Sequence, residues 1–478
     1  MRRTKIVCTI GPATESLEMI EALAEAGMDV ARLNFSHGTL EEHRLRIERI
    51  RAVEKKLKRA IGILLDIQGP KIRTGDLPVD RLAIHKGQTI YVAPSASPEE
   101  AAGDTPTLQI SYAPLLDQLK PGHTIYLDDG LVELRVEGVE TARAVCRVVT
   151  GGVLRSRVGV SLPQVDVDLP AIDETDVEHI LFGVKMGVDF VAASFVRRPE
   201  HVEAVRECIR GAGGTQQVIA KIESREGVRN IDGIFEVADG GMVARGDLGV
   251  ELPTEEVPLV QKQIIEKGSR LGKPVITATQ MLDSMTRNPR PTRAEVADVA
   301  NAIFDGTDAV MLSGETAVGQ YPVEAVRMMD RIAERSDSAL DHAAVLERRR
   351  RAMGRSIADA IARAACDAAT DLGAKVILCS TQSGYTARMV SKYRPPVPII
   401  AVTPNEHVVR QLSLVWGVQT FLAPKGEYRI EEMIDVAGKI AKERQLVQDG
   451  DLIAIAAGVR TGTPGKTNLL HIHVVGEA

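Results

Sequence analysis

Aromatic residues and cysteines are scarce in this chain of 478 residues. One Trp, seven Tyr and seven Phe leave its hydrophobic cores to be built mainly from aliphatic side chains. The five cysteines are an odd number, widely scattered, and form no CxxC pair. This usage predicts reduced, mostly buried thiols in a cytoplasmic protein.

Long hydrophobic runs are also absent. No window reaches the roughly 18 consecutive apolar residues of a membrane span. The apolar run after the basic N-terminus stops at Gly11-Pro12, too early for a signal peptide. The net charge of −6 argues against binding to nucleic acid through bulk positive charge. We therefore expect neither a membrane nor a nucleic-acid partner.

The sequence does contain a repeated alternation of short apolar runs and helical segments. Strands that alternate with helices predict a parallel sheet, and eight such units predict a (β/α)8 TIM barrel in an α/β protein. The eight runs are KIVCTIG (5–11), VARLNFS (30–36), IGILLDI (61–67), FVAASFV (190–196), QVIAKIE (217–223), GGMVARG (240–246), PVITATQ (274–280) and AVMLSGE (309–315).

Two parts of the chain interrupt the barrel pattern. Residues 69–167 alternate apolar and polar positions and contain Asp129-Gly130, a hairpin signal, which predicts a small inserted antiparallel β-barrel domain. An insertion there lies at the C-terminal face of the barrel and can act as a lid. We interpret the charged segment 346–355 as a solvated helix face or linker. The predicted domains are barrel domain A at 1–68 and 168–340, domain B at 69–167, and an α/β regulatory domain at 341–478.

Polar residues gather where the predicted barrel strands end, which is where active sites of this fold lie. Glu223 and Asp247 end neighbouring strands, and two carboxylates with room for water suit Mg2+ or Mn2+. Lys221 supplies a positive charge for a phosphate or an enolate, and Arg32 can bind phosphate. Gly246 would let a substrate carboxylate approach backbone amides. A salt bridge at the barrel rim explains any one of these residues, but the whole set indicates a site for phosphate and carboxylate.

A set of motifs spans nearly the full length of the chain. They are TKIVCTIGPAT, ARLNFSHG, DIQGPKIRTG, VDLPA, GVDFVAASFVR, IAKIES, MVARGDLGVELP, KPVITATQML, RPTRAEVADVANAIFDGTDAVMLSGETA and HIHVV. With these motifs the chain resembles the pyruvate kinase family. The resemblance implies a barrel A domain, a mobile B domain and a C domain in a homotetramer. It also implies the glycolytic transfer of the phosphoryl group of phosphoenolpyruvate to ADP, giving pyruvate and ATP, with Mg2+.

The same resemblance assigns roles to residues. Lys221 matches the lysine that stabilises the phosphoryl group, Glu223 and Asp247 the metal ligands, and Arg32 a phosphate-binding arginine. Gly246, Asp247 and Thr279 match contacts to the pyruvate part. The other matches are Asn34, Phe35, Ser36, His37 and Arg73 at the nucleotide, and Asn34, Ser36, Asp66 and the backbone of Ile67 at a K+ site. For protonation of enolpyruvate, Thr279 with a water chain, Ser313 and Glu315 stay open.

The chain departs from the family pattern at several positions, two of which bear on K+ and on the nucleotide. Many members that need K+ carry Glu where this chain has Lys71, in DIQGPKIR. An ammonium there can supply the charge of K+, so we predict that K+ is not required although its site residues remain. Val158 stands where relatives often have Lys, and Arg155 or Arg157 is the candidate for its nucleotide contact.

The C-terminal region holds two phosphate-binding candidates. In TQSGYT (381–386), the residues Thr381, Ser383, Gly384 and Thr386 lie between a strand and a helix and can hold a phosphate. A helix cap by Ser383 is the alternative, but the resemblance favours an effector site for a sugar phosphate or nucleotide monophosphate. GTPGKTN (462–468) fails as a P-loop, because position 460 is Arg instead of Gly and a strand follows.

Two other functions remain open. A carbon–carbon lyase of the phosphoenolpyruvate- and pyruvate-binding barrels would share the metal carboxylates, but the inserted domain and the Lys221 motif count against it. A catalytically silent metabolite sensor would use the C-terminal domain, but the intact polar set at the barrel rim counts against that function.

Overall fold

The N-terminal segment forms the first three strands of a barrel in the computed structural model, which describes residues 2–77, 79–94, 105–352, 354, 356–423, 438–458 and 467–477. Thr39 and Glu42 form a reciprocal capping box at the second helix. Gly27, with φ of 127°, ends the first helix. The elements are β1 (Lys5–Thr9), α1 (Leu17–Ala26), β2 (Val30–Asn34), α2 (Leu40–Leu57) and β3 (Gly62–Asp66).

A separate group of strands follows β3. Its elements are β4 (Leu82–Ile84), β5 (Thr89–Ala93), β6 (Thr107–Gln109), α3 (Leu115–Gln118), β7 (Thr124–Leu127), β8 (Val132–Val139), β9 (Ala144–Thr150), β10 (Gly152–Leu154) and β11 (Val160–Ser161). Six of them form a sheet in the order β11-β7-β8-β9-β5-β6, antiparallel except for the β5–β6 pair, and β10 pairs with β4. The predicted hairpin is confirmed, since Asp128, Asp129 and Gly130 turn between β7 and β8 with positive φ.

The chain then returns to the barrel. The elements are α4 (Glu174–Met186), β12 (Phe190–Ala193), α5 (Pro199–Gly211), β13 (Gln217–Ile222), α6 (Arg225–Arg229), α7 (Ile231–Val237), β14 (Gly240–Ala244), α8 (Arg245–Glu251), α9 (Val257–Leu271), β15 (Val275–Ala278), α10 (Arg293–Asp305), β16 (Ala309–Leu312), α11 (Gly314–Ala317) and α12 (Pro322–Ser338). Short 3-10 turns cover Thr254–Glu256 and Asp283–Thr286.

Eight parallel strands close the barrel in the order β1-β16-β15-β14-β13-β12-β3-β2. Lys5 pairs with Ala309 where the first and last strands meet, and Leu64 pairs with Phe190 across the insertion. Because all strands run the same way, their C-terminal ends form one mouth. The predicted α/β fold, a TIM barrel with an inserted β domain and a C-terminal α/β domain, is confirmed.

The C-terminal region forms a second α/β layer. Its elements are α13 (His342–Ala352), α14 (Ile357–Asp371), β17 (Val376–Ser380), α15 (Tyr385–Ser391), β18 (Ile399–Thr403), α16 (Glu406–Gln411), β19 (Val418–Leu422), β20 (Leu452–Ala457) and β21 (Leu469–Val474). The sheet order is β19-β18-β17-β20-β21, with β21 antiparallel to its neighbour. Across the part of the chain described, no helix is long and apolar enough to cross a membrane.

The C-terminal region packs under the bottom of the barrel. Leu414 is fully buried among barrel side chains that include Val7 and Leu64. Lys5 Nζ donates to the backbone oxygen of Val418 at 2.8 Å. The interpretation of 346–355 as a solvated face is wrong for Arg349, which is buried on α13 and donates to the Lys392 backbone oxygen.

Candidate active site

Four charged side chains form a buried ion-pair network at the mouth of the barrel. Lys221 Nζ lies 2.9 Å from Glu223 Oε1 and 3.2 Å from Asp66 Oδ1. Arg32 Nε lies 2.6 Å from Asp66 Oδ2. These residues come from the ends of β2, β3 and β13, which meet at the same mouth. The structure therefore brings together the cation and the carboxylates that the sequence placed there.

Burial and mutual charge set the protonation of this network. Burial by itself would raise the pKa of Asp66, but the charges of Lys221 and Arg32 outweigh it and hold that pKa below its usual value. Burial would lower the pKa of Lys221, but Asp66 and Glu223 keep it above the ordinary lysine value. Burial raises the pKa of Glu223, with Lys221 opposing the shift. Lys221 is therefore a fixed positive charge at the mouth.

Two residues that the sequence argument missed hold this network in place. Lys221 Nζ donates to Ser194 Oγ at 2.7 Å, and Ser194 Oγ donates to the Ile67 backbone oxygen at 2.7 Å. Arg32 Nη1 donates to Thr9 Oγ1 at 3.0 Å. Ser194 follows β12 and Thr9 ends β1. A search for polar residues at the ends of all eight strands, rather than six, would have found both.

A strained turn lies beside Asp247. Thr279 has φ of 68° and the next residue, Gln280, has φ of 52°, which is unusual for side chains with a Cβ. Thr279 Oγ1 accepts the backbone N–H of Gly246 at 2.8 Å. Arg245 supports the turn by donating to the Thr279 backbone oxygen at 2.8 Å. Backbone strain of this kind concentrates at functional sites, so the turn supports a role for Thr279 and Gly246.

Glu223 and Asp247 suit a divalent ion. One oxygen of Glu223, Oε2, accepts the Phe195 N–H at 2.6 Å, which fixes the carboxylate. Asp247, in the first turn of α8, stays about one-third exposed. The described residues contain no cluster of three or more His, Cys, Asp or Glu that could hold a metal. Mg2+ or Mn2+ here would therefore take its other ligands from water and substrate, as these ions commonly do.

A cleft with an empty volume of about 810 Å³ separates this mouth from the inserted strands. Lys71, Asp129, Glu223 and Asp247 all line it. Lys71 Nζ lies 3.3 Å from Asp129 Oδ1 of the β7–β8 hairpin and 3.8 Å from Asp247 Oδ1. Ser161 on β11 hydrogen-bonds Glu251 of α8. The inserted domain thus forms one wall of the cleft and touches the rim.

The predicted K+-site residues lie apart from the ion pairs of Lys71. Asp66 is paired with Arg32 and Lys221, and the Ile67 backbone oxygen accepts Ser194. Asn34 Oδ1 accepts the Ser36 N–H at 3.2 Å. The two carboxylates that Lys71 reaches belong to the cleft and not to this set. Its charge therefore acts on the side of the mouth where Asp247 lies.

The predicted nucleotide residues are divided between the rim and the inserted domain. Ser36 and His37 are exposed at the rim, whereas the Phe35 ring is buried and stacks on His43 at 3.9 Å. Arg157 forms a two-bond pair with Asp76, at 2.9 and 3.0 Å. Arg73 Nη1 donates to the Arg157 backbone oxygen at 3.1 Å, so these two arginines are neighbours.

The three candidates for proton transfer differ in their hydrogen bonds. Glu315 accepts the backbone N–H groups of Leu282 and Ser313, at 3.0 and 2.7 Å, and burial raises its pKa. Ser313 Oγ is buried and has no hydrogen-bond partner within the described residues. The backbone therefore already engages both carboxylate oxygens of Glu315. The hydroxyls of Ser313 and Thr279 can still donate a proton.

The predicted effector loop lies at the start of α15. Gly384, with φ of 77°, is the N-cap, and Ser383 provides no side-chain cap. Thr386 Oγ1 hydrogen-bonds Thr467 Oγ1 at 2.8 Å, and Thr381 is also buried. The P-loop-like segment 462–468 lies outside the described residues apart from Thr467 and Asn468.

Comparisons with known proteins agree with this geometry. Residues 1–326 match the family model of the pyruvate kinase barrel domain, and residues 359–473 match that of the pyruvate kinase alpha/beta domain. Pyruvate kinase of Geobacillus stearothermophilus is 52% identical over 479 residues, and that of Bacillus licheniformis 52% over 482. Pyruvate kinase of Sporosarcina psychrophila is 51% identical over 480. Each alignment covers 100% of this chain and 81% of the relative.

Proposed function

The chain belongs to the pyruvate kinase family, and we propose that it transfers the phosphoryl group of phosphoenolpyruvate to ADP, giving pyruvate and ATP as the last step of glycolysis. The observation that carries this proposal is the network of Arg32, Asp66, Lys221 and Glu223 beside Asp247. Phosphoryl transfer is catalysed mainly by positioning and charge neutralisation, which such a network provides.

Each side chain has a proposed task at the mouth. Lys221 and Arg32 bind the oxygens of the phosphoryl group. Glu223 and Asp247 would hold Mg2+ or Mn2+, which neutralises charge on phosphate and enolate oxygens when bound. Gly246, which has no side chain, lets the substrate carboxylate approach the backbone beside Asp247, and Thr279 orients that carboxylate. Thr279 or Ser313 passes a proton to the carbon of enolpyruvate through water.

The inserted domain is proposed to act as a lid, and we assign it to residues 69–167, between barrel segments 1–68 and 168–340. Contacts such as Ser161 to Glu251 support this role, because they already join the two walls of the cleft. Closure would keep water from the phosphoryl group. Asn34 to His37, Arg73 and Arg157 are the proposed nucleotide contacts.

Lys71 is proposed to make K+ unnecessary. Its ammonium lies in the cleft beside Asp129 and Asp247, so it adds positive charge where substrate phosphates would gather. The residues that match the family's K+ site are present, namely Asn34, Ser36, Asp66 and Ile67. However, the Asp66 carboxylate already pairs with Arg32 and Lys221.

Regulation and assembly are proposed from family membership and the C-terminal loop. Thr381, Ser383, Gly384 and Thr386 would bind the phosphate of an activating sugar phosphate or nucleotide monophosphate, within a regulatory domain at 341–478. The absence of a Ser383 cap in the described structure supports a ligand role for this loop over a simple helix cap. The proposed assembly is a homotetramer.

The test measures pyruvate formation from phosphoenolpyruvate and ADP with Mg2+, first in Na+ buffer and then with K+ added. Full activity without K+ supports both the reaction and the role of Lys71. Lys71→Glu should then make the rate depend on K+, while Lys185→Met, a substitution on the exposed face of α4, should not. Activity only with K+ would keep the reaction and discard the Lys71 proposal. Inactivity in both buffers, even with sugar phosphates or AMP, would favour the lyase or the sensor.

A further inference from the structure

The three N–H groups of the Lys221 ammonium are all engaged by oxygen atoms of the protein. Its Nζ lies 2.7 Å from Ser194 Oγ, 2.9 Å from Glu223 Oε1 and 3.2 Å from Asp66 Oδ1. A lysine ammonium has three N–H donors and no acceptor, so these three oxygens match its three donors. One of these contacts must therefore open before Lys221 can bind an oxygen of the phosphoryl group.

Charge decides which of the three contacts opens. The incoming phosphoryl oxygens are anionic, so they repel the carboxylates of Asp66 and Glu223 more strongly than the neutral hydroxyl of Ser194. Asp66 also keeps a second cation, because Arg32 Nε lies 2.6 Å from its Oδ2. The contact that opens is therefore one of the two carboxylates, and the bond from Lys221 to Ser194 remains.

The Ser194 hydroxyl has a fixed orientation. Because Lys221 can only donate, Ser194 Oγ accepts its N–H and must direct its own hydrogen to another atom. The Ile67 backbone oxygen takes this hydrogen at 2.7 Å, whereas Asp66 Oδ1 is 3.4 Å away. Ser194 is buried, which limits competition from water. The hydroxyl therefore presents an acceptor to Lys221 from a position that the backbone sets.

The backbone around Ser194 is itself held tightly. The next residue, Phe195, has φ of 50°, and its N–H donates to Glu223 Oε2 at 2.6 Å. Gly69 packs directly on Ser194, since a Cβ added at Gly69 would lie 3.1 Å from the Ser194 backbone oxygen. Strained backbone persists only where its surroundings fix it, and such strain concentrates at functional sites. Ser194 is therefore a firm support for the ammonium.

We propose that Ser194 is a positioning residue for Lys221, an inference that rests on the proposed phosphoryl transfer. Its hydroxyl holds the ammonium while Lys221 exchanges one carboxylate contact for an oxygen of the phosphoryl group. In this role Ser194 acts through Lys221 and not on the reacting atoms. Without the hydroxyl, Asp66 and Glu223 are the partners that remain of the three, and they draw the ammonium away from the phosphoryl group.

A double-mutant cycle with Lys221 tests this proposal by steady-state kinetics on the full-length protein. Ser194→Ala should lower kcat by about 10–100-fold and leave the KM for ADP unchanged, because it removes one hydrogen bond to a charged group. In the Lys221→Met background the same substitution should lower kcat by less than about twofold, since no ammonium remains to be positioned. Ser194→Thr keeps the hydroxyl and should restore most of the lost kcat. Ser338→Ala, at an exposed serine of α12, is the control and should keep the wild-type kcat.

A crystal structure of the wild-type protein with bound phosphoenolpyruvate decides the question if Ser194→Ala does not fold. Lys221 Nζ should remain hydrogen-bonded to Ser194 Oγ, with a phosphoryl oxygen in place of one carboxylate. Lys221 bonded to both carboxylates but not to Ser194 would overturn the positioning role.

The kinetic outcomes separate this inference from the proposed function. A wild-type kcat in Ser194→Ala, or the same loss of kcat with and without Lys221, would overturn the positioning role alone. A wild-type protein that does not convert phosphoenolpyruvate and ADP would overturn the proposed function together with this inference.

Discussion

At the scale of single residues, substitution of Lys221 is expected to have the largest effect on activity and stability. Lys221→Met should lower kcat by about 10³-fold, since it removes the positive charge that we propose binds the transferring phosphoryl group. The variant should also lose about 3–5 kcal/mol of stability, because Asp66 and Glu223 lose a buried partner. Steady-state kinetics and urea unfolding measure the two effects. Lys185→Met on α4 is the control, and a Lys221→Met enzyme with wild-type kcat would refute the assigned role.

His43 should make the stability depend on pH. Its ring is buried, stacks on Phe35, and donates from Nε2 to the His37 backbone oxygen at 2.9 Å. Burial lowers the pKa of His43 to about 4. The unfolded chain takes up this proton at about pH 6.5, so the stability is complete above that pH and falls as the pH drops towards 4.

The loss should reach about 2–3 kcal/mol at the acid end of that range. Unfolding by urea at pH 7 and pH 5 measures it. His43→Gln keeps an N–H donor but does not titrate, so its urea midpoint should fall less between the two pH values. His85→Gln, at an exposed position, should behave as the wild type. An equal fall in His43→Gln would show that other groups cause the pH dependence.

Residues differ in how well the sequence predicts their place. Lys221 and Glu223 were predictable because positions i and i+2 of a strand share a face and strand ends meet at one mouth. The pairing of Lys71 with Asp129 could not be predicted in this way. The distance between the two side chains depends on how the inserted domain lies over the rim. Phe35 illustrates the same limit, because its motif indicates a nucleotide contact while its ring packs inside.

At the scale of elements, removal of the capping box of α10 should measurably destabilise the protein. Thr292 Oγ1 accepts the Glu295 N–H at 3.2 Å, and Glu295 Oε2 accepts the Thr292 N–H at 2.7 Å. Thr292→Ala should lower the free energy of unfolding by about 1 kcal/mol. Thr292→Ser keeps the hydroxyl and should stay near the wild type in the same unfolding assay. Equal losses in the two variants would rule out the cap as the cause.

The strands and helices of the barrel could largely be predicted from the local sequence pattern. Each barrel strand falls inside one predicted apolar run, because strands buried on both faces need continuous apolar residues. The buried face of helix α13 could not be predicted in this way. Its run of arginines looks uniformly solvated, and only the packing of α13 against Lys392 and Gly306 buries Arg349.

At the scale of the whole molecule, Leu414 links two cores. It is fully buried among the inward-facing side chains of the barrel. Leu414→Ala should cost about 2–5 kcal/mol and make the barrel and the C-terminal region unfold less cooperatively. Calorimetric unfolding would show two transitions that separate further than in the wild type. Leu422→Ala, at a side chain that is 48% exposed, should change little. A calorimetric profile of Leu414→Ala with the same separation of transitions as the wild type would argue against the link.

The closure between β1 and β16 has a consequence for synthesis on the ribosome. Strand β1, which contains Lys5, cannot pair with β16 until Ala309 has been synthesised. At about 5–20 residues per second, that wait lasts roughly 15–60 s. Throughout it, a newly made strand keeps an open edge of unpaired backbone groups, which favours pairing with other chains. A folding helper that covers such an edge would therefore act on the nascent N-terminus before Ala309 has been translated.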